Sequence, residues 1–151
     1  MSVDASIIGF ECVFAKKADI RNFFRFSNIE LDHYYFSVAD AAVFSQCKRV
    51  EILEKFQPSY FQELIQMTFT AERLVLHLYP GTTDSEEIDT YEDFLKSNCE
   101  MIILLYDFYY MEVYCKNQLW LNSLMQTAMA IPNAVVEKKY EHTDTRTSMY
   151  V

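Results

Sequence analysis

The sequence predicts an α+β domain, a mainly antiparallel sheet with helices packed on one face. Three observations lead there. Stretches of period-two alternation are interleaved with stretches of helical spacing, without a regular β-α order. Two strand-like stretches, 100–106 and 110–116, are separated by only three residues, the spacing of an antiparallel hairpin. A chain of 151 residues that is 51% hydrophobic is long and apolar enough for one core without metals or disulfides.

The elements follow in chain order. Residues 7–14 alternate, with Ile8, Phe10, Cys12 and Phe14 on one face, and read as a strand. From Asp19 to Phe26, Ile20, Phe23 and Phe24 form a helical stripe opposite Arg21 and Arg25. The run HYYFSV (33–38) has the aromatic and β-branched content of a strand. Cys47, Val50 and Leu53 suggest a helix over 46–56, and Tyr60, Phe61, Leu64 and Ile65 a second over 59–67. Pro58 divides the two, and Ser59 with Gln62 has the form of a capping box.

RLVLHLY (73–79) alternates and stops at the turn dipeptide Pro80-Gly81. Thr90 precedes Tyr91, Phe94 and Leu95, with Asp93 at the third helical position, so a short capped helix is expected. EMIILLY (100–106) is apolar on both faces, as a central strand requires. In 110–116, Met111, Val113 and Cys115 face inward, and Tyr110, Glu112, Tyr114 and Lys116 outward. Asn117 is a natural N-cap for a helix whose buried stripe is Leu121, Leu124, Met125 and Ala128. A last strand spans 134–140. Residues 1–140 are therefore expected to form a single α+β domain, and 141–151, which lose hydrophobic period, a frayed C-terminal tail.

Charge narrows the function classes. The chain carries 13 Lys+Arg against 22 Asp+Glu, net −9. Residues 1–75 hold 8 basic and 10 acidic side chains, and residues 76–151 hold 5 and 12. Nucleic-acid binding needs a basic footprint, and none is visible. The two glycines, Gly9 and Gly81, cannot build a dinucleotide fingerprint, a P-loop or a kinase glycine loop. Residues 117–136 lack charge, but eight of the twenty are Asn, Gln, Ser, Thr or Pro, which argues against a membrane span. The N-terminus lacks a basic region followed by an apolar core and a small-residue cleavage site, so the expected compartment is the cytoplasm, with reduced thiols.

Motifs for chemistry are sparse. Cys12, Cys47, Cys99 and Cys115, and His33, His77 and His142, show no metal-ligand spacing, so neither metal nor cofactor is expected. The acidic run from Asp84 fails the EF-hand template, with Asp89 at position six and Leu95 at position twelve. The best nucleophilic constellation is Cys99 or Cys115 with His77, the basis of an alternative reading as a small hydrolase or transferase. Cys115 faces inward by alternation, whereas Cys99 sits at an element boundary where exposure is expected.

The stretch TYEDFLKSNCEMIILLYDFYYMEVYCKN (90–117), with LVLHLYPG (74–81) before it, resembles a small family of Bacillus-type bacteria known only as a domain of unknown function. The resemblance implies a bacterial cytoplasmic origin and brings no catalytic residues.

The leading functional expectation is a non-enzymatic protein-binding or regulatory module with an acidic, tyrosine-bearing surface. Asp84, Glu86, Glu87, Asp89, Tyr110 and Tyr114 are its candidate residues, and Tyr34, Tyr35 and Phe36 add to the aromatic content of the strands. The partner would be a basic protein, and one concrete version is an immunity-type inhibitor of a basic nuclease toxin. Oligomeric state is left open.

Overall fold

A computed structural model describes residues 7–25, 29–66, 70–141 and 148–149. The strands are β1 (Ile7–Val13), β2 (Tyr34–Ser45), β3 (Lys48–Arg49), β4 (Lys55–Phe56), β5 (Thr70–Pro80), β6 (Met101–Tyr106), β7 (Tyr110–Cys115) and β8 (Val135–Tyr140). The helices are α1 (Lys17–Phe23), α2 (Pro58–Gln66), α3 (Tyr91–Lys96) and α4 (Gln118–Met129). The strands make one sheet in the order β3-β2-β5-β6-β7-β1-β8, with β4 also on β2, and every pairing is antiparallel. The chain is thus α+β, as its sequence predicts.

Alternation divides the sheet's side chains between two apolar layers. On the first face Leu74, Leu76, Leu78, Met101, Ile103 and Leu105 meet α1, α2 and α4. Here Phe23, Phe24, Phe36, Phe56 and Phe61 form a chain of ring contacts, such as Phe24–Phe61 at 5.0 Å and 86°. Each such pair adds about 0.5–1.5 kcal/mol beyond its buried area. On the second face Val75, Tyr79, Ile102, Leu104 and Tyr114 are covered by Ile88, Phe94 and Met149. The expectation of helices on one face holds for α1, α2 and α4, but α3 lies on the other through Phe94.

The hairpin forms with Met101 opposite Cys115 and Tyr106 opposite Tyr110. Its turn lacks glycine, and Asp107 and Phe108 adopt left-handed backbone (φ 49° and 69°). Such φ values are unfavourable for a bulky residue. They are held by Asp107 N–H to Glu72 O (3.1 Å), Phe108 N–H to Ala71 O (3.0 Å) and Phe14 N–H to Tyr109 O (2.9 Å).

The helix expected over 46–56 is not formed. Gln46 and Cys47 both take positive φ (51° and 65°), giving the two-residue hairpin turn that reverses β2 into β3. The chain then follows the edge of β2 through Val50 N–H to Val43 O and Val38 N–H to Glu54 O, each 2.8 Å, and ends as β4. The apolar spacing of Cys47, Val50 and Leu53 belongs to an edge ribbon, with Cys47 and Leu53 exposed. Nor do Ser59 and Gln62 form a capping box, because α2 begins at Pro58 and Ser59 lies within its first turn; the Gln62 amide donates to Arg25 O at 2.9 Å.

Gly9 is required by a close approach. A Cβ built there would stand 2.1 Å from the Val113 carbonyl oxygen. The β1–β8 register shifts between Ile7 and Gly9 and turns Ile8 to the second face, away from Phe10, Cys12 and Phe14.

Most of the stretch expected as a frayed tail lies outside the described residues. Ser148 and Met149, however, are docked. Ser148 bridges Thr90, Met149 N–H donates to Asp89 O at 2.9 Å, and the Met149 side chain is fully buried.

Candidate functional site

The acidic segment begins where β5 ends, and its backbone is tied inward at successive points. Gly81 N–H donates to His33 O (2.7 Å), and the Thr83 hydroxyl to Pro80 O (2.9 Å). The Tyr35 hydroxyl donates to Thr83 O (2.9 Å). Tyr79 holds the middle, its hydroxyl donating to Glu86 O (3.0 Å) and accepting Glu86 N–H (2.9 Å). Ile88 is buried in the second layer with Met149, whose N–H donates to Asp89 O.

The segment ends in the predicted capping box. Asp93 N–H donates to Thr90 Oγ1 (3.1 Å), and the Asp93 carboxylate accepts from Asp89 N–H and Thr90 N–H, both 3.2 Å. These backbone donors, Asp89 first, hold the Asp93 carboxyl below its ordinary range. Glu86 accepts from Asn98 N–H at 2.7 Å.

With the backbone fixed inward, Asp84, Glu86, Glu87, Asp89 and Glu92 are exposed. Among the described residues none of these carboxylates forms an ion pair. The arrangement is a run of exposed carboxylates on a backbone held by hydrogen bonds. Beside it a groove of about 350 Å³ is lined by Tyr35, Lys55, Phe56, Gln57, Thr83 and Asp84. Tyr35 stacks on Tyr79 (5.6 Å, 23°) and carries the Lys55 ammonium 5.9 Å from its ring centroid. Burial, then the negative charge of Asp84, raises the Tyr35 phenol above its ordinary pKa.

The tyrosines expected on this surface are elsewhere. Tyr114 is fully buried against Tyr91 at 5.9 Å, because α3 covers the face that alternation alone assigns to solvent. Tyr110 is 43% exposed and stacks on Tyr106, but at the hairpin tip with Phe108 and Tyr109. That tip adjoins Arg73, seven residues along β5 from Pro80, or about 23 Å. The acidic residues come together, and the tyrosine beside them is Tyr35. Its signal in the sequence was the aromatic run at 34–36, which does not distinguish a half-buried ring from a core ring.

The members of the alternative catalytic set, Cys99, Cys115 and His77, are all buried. Cys115 belongs to the first apolar layer, whereas His77 lies on the second face with Val75 and Tyr79. Cys99, expected exposed, is fully buried, and its thiol donates to Met101 O at 3.2 Å. Burial pushes both thiols up to about 12, so neither is a thiolate near neutral pH. His77 is 3% exposed, its Nε2 has no hydrogen-bond partner among the described residues, and burial lowers its pKa to about 4. Among the described residues, no group of three or more His, Cys, Asp or Glu side chains is placed to hold a metal ion. No described helix is long and apolar enough to cross a membrane.

Comparison with known proteins gives a family of unknown function. A family model described as "Protein of unknown function (DUF2691)" matches residues 26–150. The "Uncharacterized protein YncE" of Bacillus subtilis (strain 168) is 33% identical over 76 residues, a match covering 50% of this chain and 50% of that protein. The matched part thus spans about half the length of the curated relative. No solved structure matches the chain.

Proposed function

The chain belongs to the DUF2691 family of proteins of unknown function, and from that premise we propose that it is a non-enzymatic binding module whose acidic surface receives a basic segment of another protein. The observation that carries this reading is the fixed backbone under exposed carboxylates at 84–92, which form no ion pair among the described residues. A loop already shaped loses little further entropy on binding, so more of each contact appears as affinity. Clustered negative charge also steers a positive partner and speeds encounter. The groove at Tyr35, where Lys55 already stands over the ring, adds an aromatic wall next to Asp84 against which the stem of a Lys or Arg side chain could pack. A basic nuclease inhibited in the manner of an immunity protein is one partner of this kind. The acidic balance of the chain argues against nucleic acid as the ligand, and the setting we assign is the bacterial cytoplasm.

The test is fluorescence anisotropy with a labelled Lys/Arg-rich peptide, on the native chain and on Asp84→Asn with Glu87→Gln. Exposed ion pairs contribute about 0.5 kcal/mol each, so the double variant should bind roughly fivefold more weakly. Native association should slow as salt rises. Equal affinity for both proteins, or an association rate indifferent to salt, would remove this surface as the binding site.

A further inference from the structure

We propose that β8 is an interface between two copies of this chain, paired antiparallel about a two-fold axis at Lys138. This rests on a different surface from the acidic segment and stands independently of it.

The two ends of the sheet are built differently. At one end β2 is covered by β3 and β4. At the other, no described strand lies beyond β8, a six-residue edge about 20 Å long. An open edge is a template for another strand.

The sequence of β8, VVEKKY, decides which strand fits. Two copies related by a two-fold axis normal to the sheet place same-face residues opposite one another, so the axis falls on a residue. The register with β1 sets Val136 opposite Cys12 and Lys138 opposite Phe10, on the first face. Glu137 opposite Glu11 and Lys139 opposite Gly9 share the second. With the axis at Lys138, Glu137 of each copy faces Lys139 of the other, and Val136 faces Tyr140. Two opposite-charge pairs and two aliphatic–aromatic pairs result, the favourable cross-strand combinations. With the axis at Glu137, Glu137 would face itself and Val136 would face Lys138. Self-complementarity thus favours the Lys138 register.

The charges behind the edge agree. Glu11 lies directly between Glu112 on β7 and Glu137 on β8. Burial first, then the hydrogen bond with Glu137, raises the Glu11 carboxyl above its ordinary pKa. Lys139, 2.9 Å from Glu112 Oε1, is the cation of this row. In the paired form Glu137 of the second copy adds a carboxylate on the outer side of Lys139, whose ammonium lies inward on Glu112 and 5.7 Å from the Tyr114 ring centroid. An exposed apolar residue, Val135, stands at the start of the same edge.

Sedimentation equilibrium up to roughly 0.5 mM tests the interface with the native chain, Glu137→Lys and Lys138→Ser, fold confirmed by circular dichroism. Both substituted residues are exposed. The native chain should form a concentration-dependent dimer. Glu137→Lys turns two attractions into repulsions and should weaken it about tenfold. Lys138→Ser removes the like-charge contact on the axis and should tighten it a few-fold. A native chain that stays monomeric throughout overturns the proposal, as does a dimer that neither variant moves.

Discussion

Replacing Tyr79 by Phe removes one oxygen atom and tests whether the acidic segment is held in shape. The ring is fully buried and stacks on Tyr35, so its packing survives the change. What goes is the pair of bonds to Glu86, donated to O at 3.0 Å and accepted from N–H at 2.9 Å. Burial pushes the phenol up to about 12, so the hydroxyl keeps its proton and both bonds across the accessible pH range. A net hydrogen bond contributes about 0.5–1.5 kcal/mol. Glu86 is exposed, so water replaces part of the loss, and the expected cost is about 1–2 kcal/mol. For about 150 residues this lowers Tm by roughly 2–8 °C. Amide exchange at Glu86 should accelerate, and basic-peptide affinity should fall although no charge has changed. A Tm within about 1 °C of the native value, with Glu86 exchange unaltered, would refute the idea that this hydroxyl fixes the segment.

Gly9→Ala forces a methyl group to within 2.1 Å of the Val113 carbonyl oxygen, and urea unfolding should show a loss of about 1–3 kcal/mol or more. His77 is buried neutral with its pKa lowered to about 4, so the unfolded chain takes up its proton first as pH falls. Stability should therefore drop by about 3 kcal/mol between pH 6.5 and 4 on account of this residue, and a His77→Leu chain should lack that share of the pH dependence in urea melts at both pH values. In the native protein a chromogenic disulfide reagent should react rapidly with one thiol, the exposed Cys47, because Cys12, Cys99 and Cys115 are buried with pKa values pushed up to about 11, 12 and 12. A second fast thiol would favour the nucleophile reading.

What the sequence made legible was local. The stripe Leu121, Leu124, Met125 and Ala128 is the buried face of α4, and Asn117 caps it through Leu119 and Trp120 N–H, because helical period and capping act over a few residues. The same holds for the Thr90–Asp93 box and for the hairpin. Long-range effects decided the rest. The 46–56 ribbon depends on left-handed Gln46 and Cys47, residues with no glycine signature, and on hydrogen bonds back to β2. Tyr110 and Tyr114 have the same alternation, but only Tyr114 lies beneath α3. The site was half legible. The acidity of Asp84, Glu86, Glu87 and Asp89 is written in the composition, whereas the hydroxyls of Tyr35 and Tyr79 that fix their backbone act through tertiary contacts.

The most direct measurement is the backbone amide shift map of the isotope-labelled chain during titration with a Lys/Arg-rich peptide. A binding module with its surface at the end of β5 predicts salt-sensitive shifts concentrated in residues 83–92, Tyr35 and 55–57. Shifts confined to the aromatic tip at 106–110, or none up to roughly millimolar peptide, would contradict it.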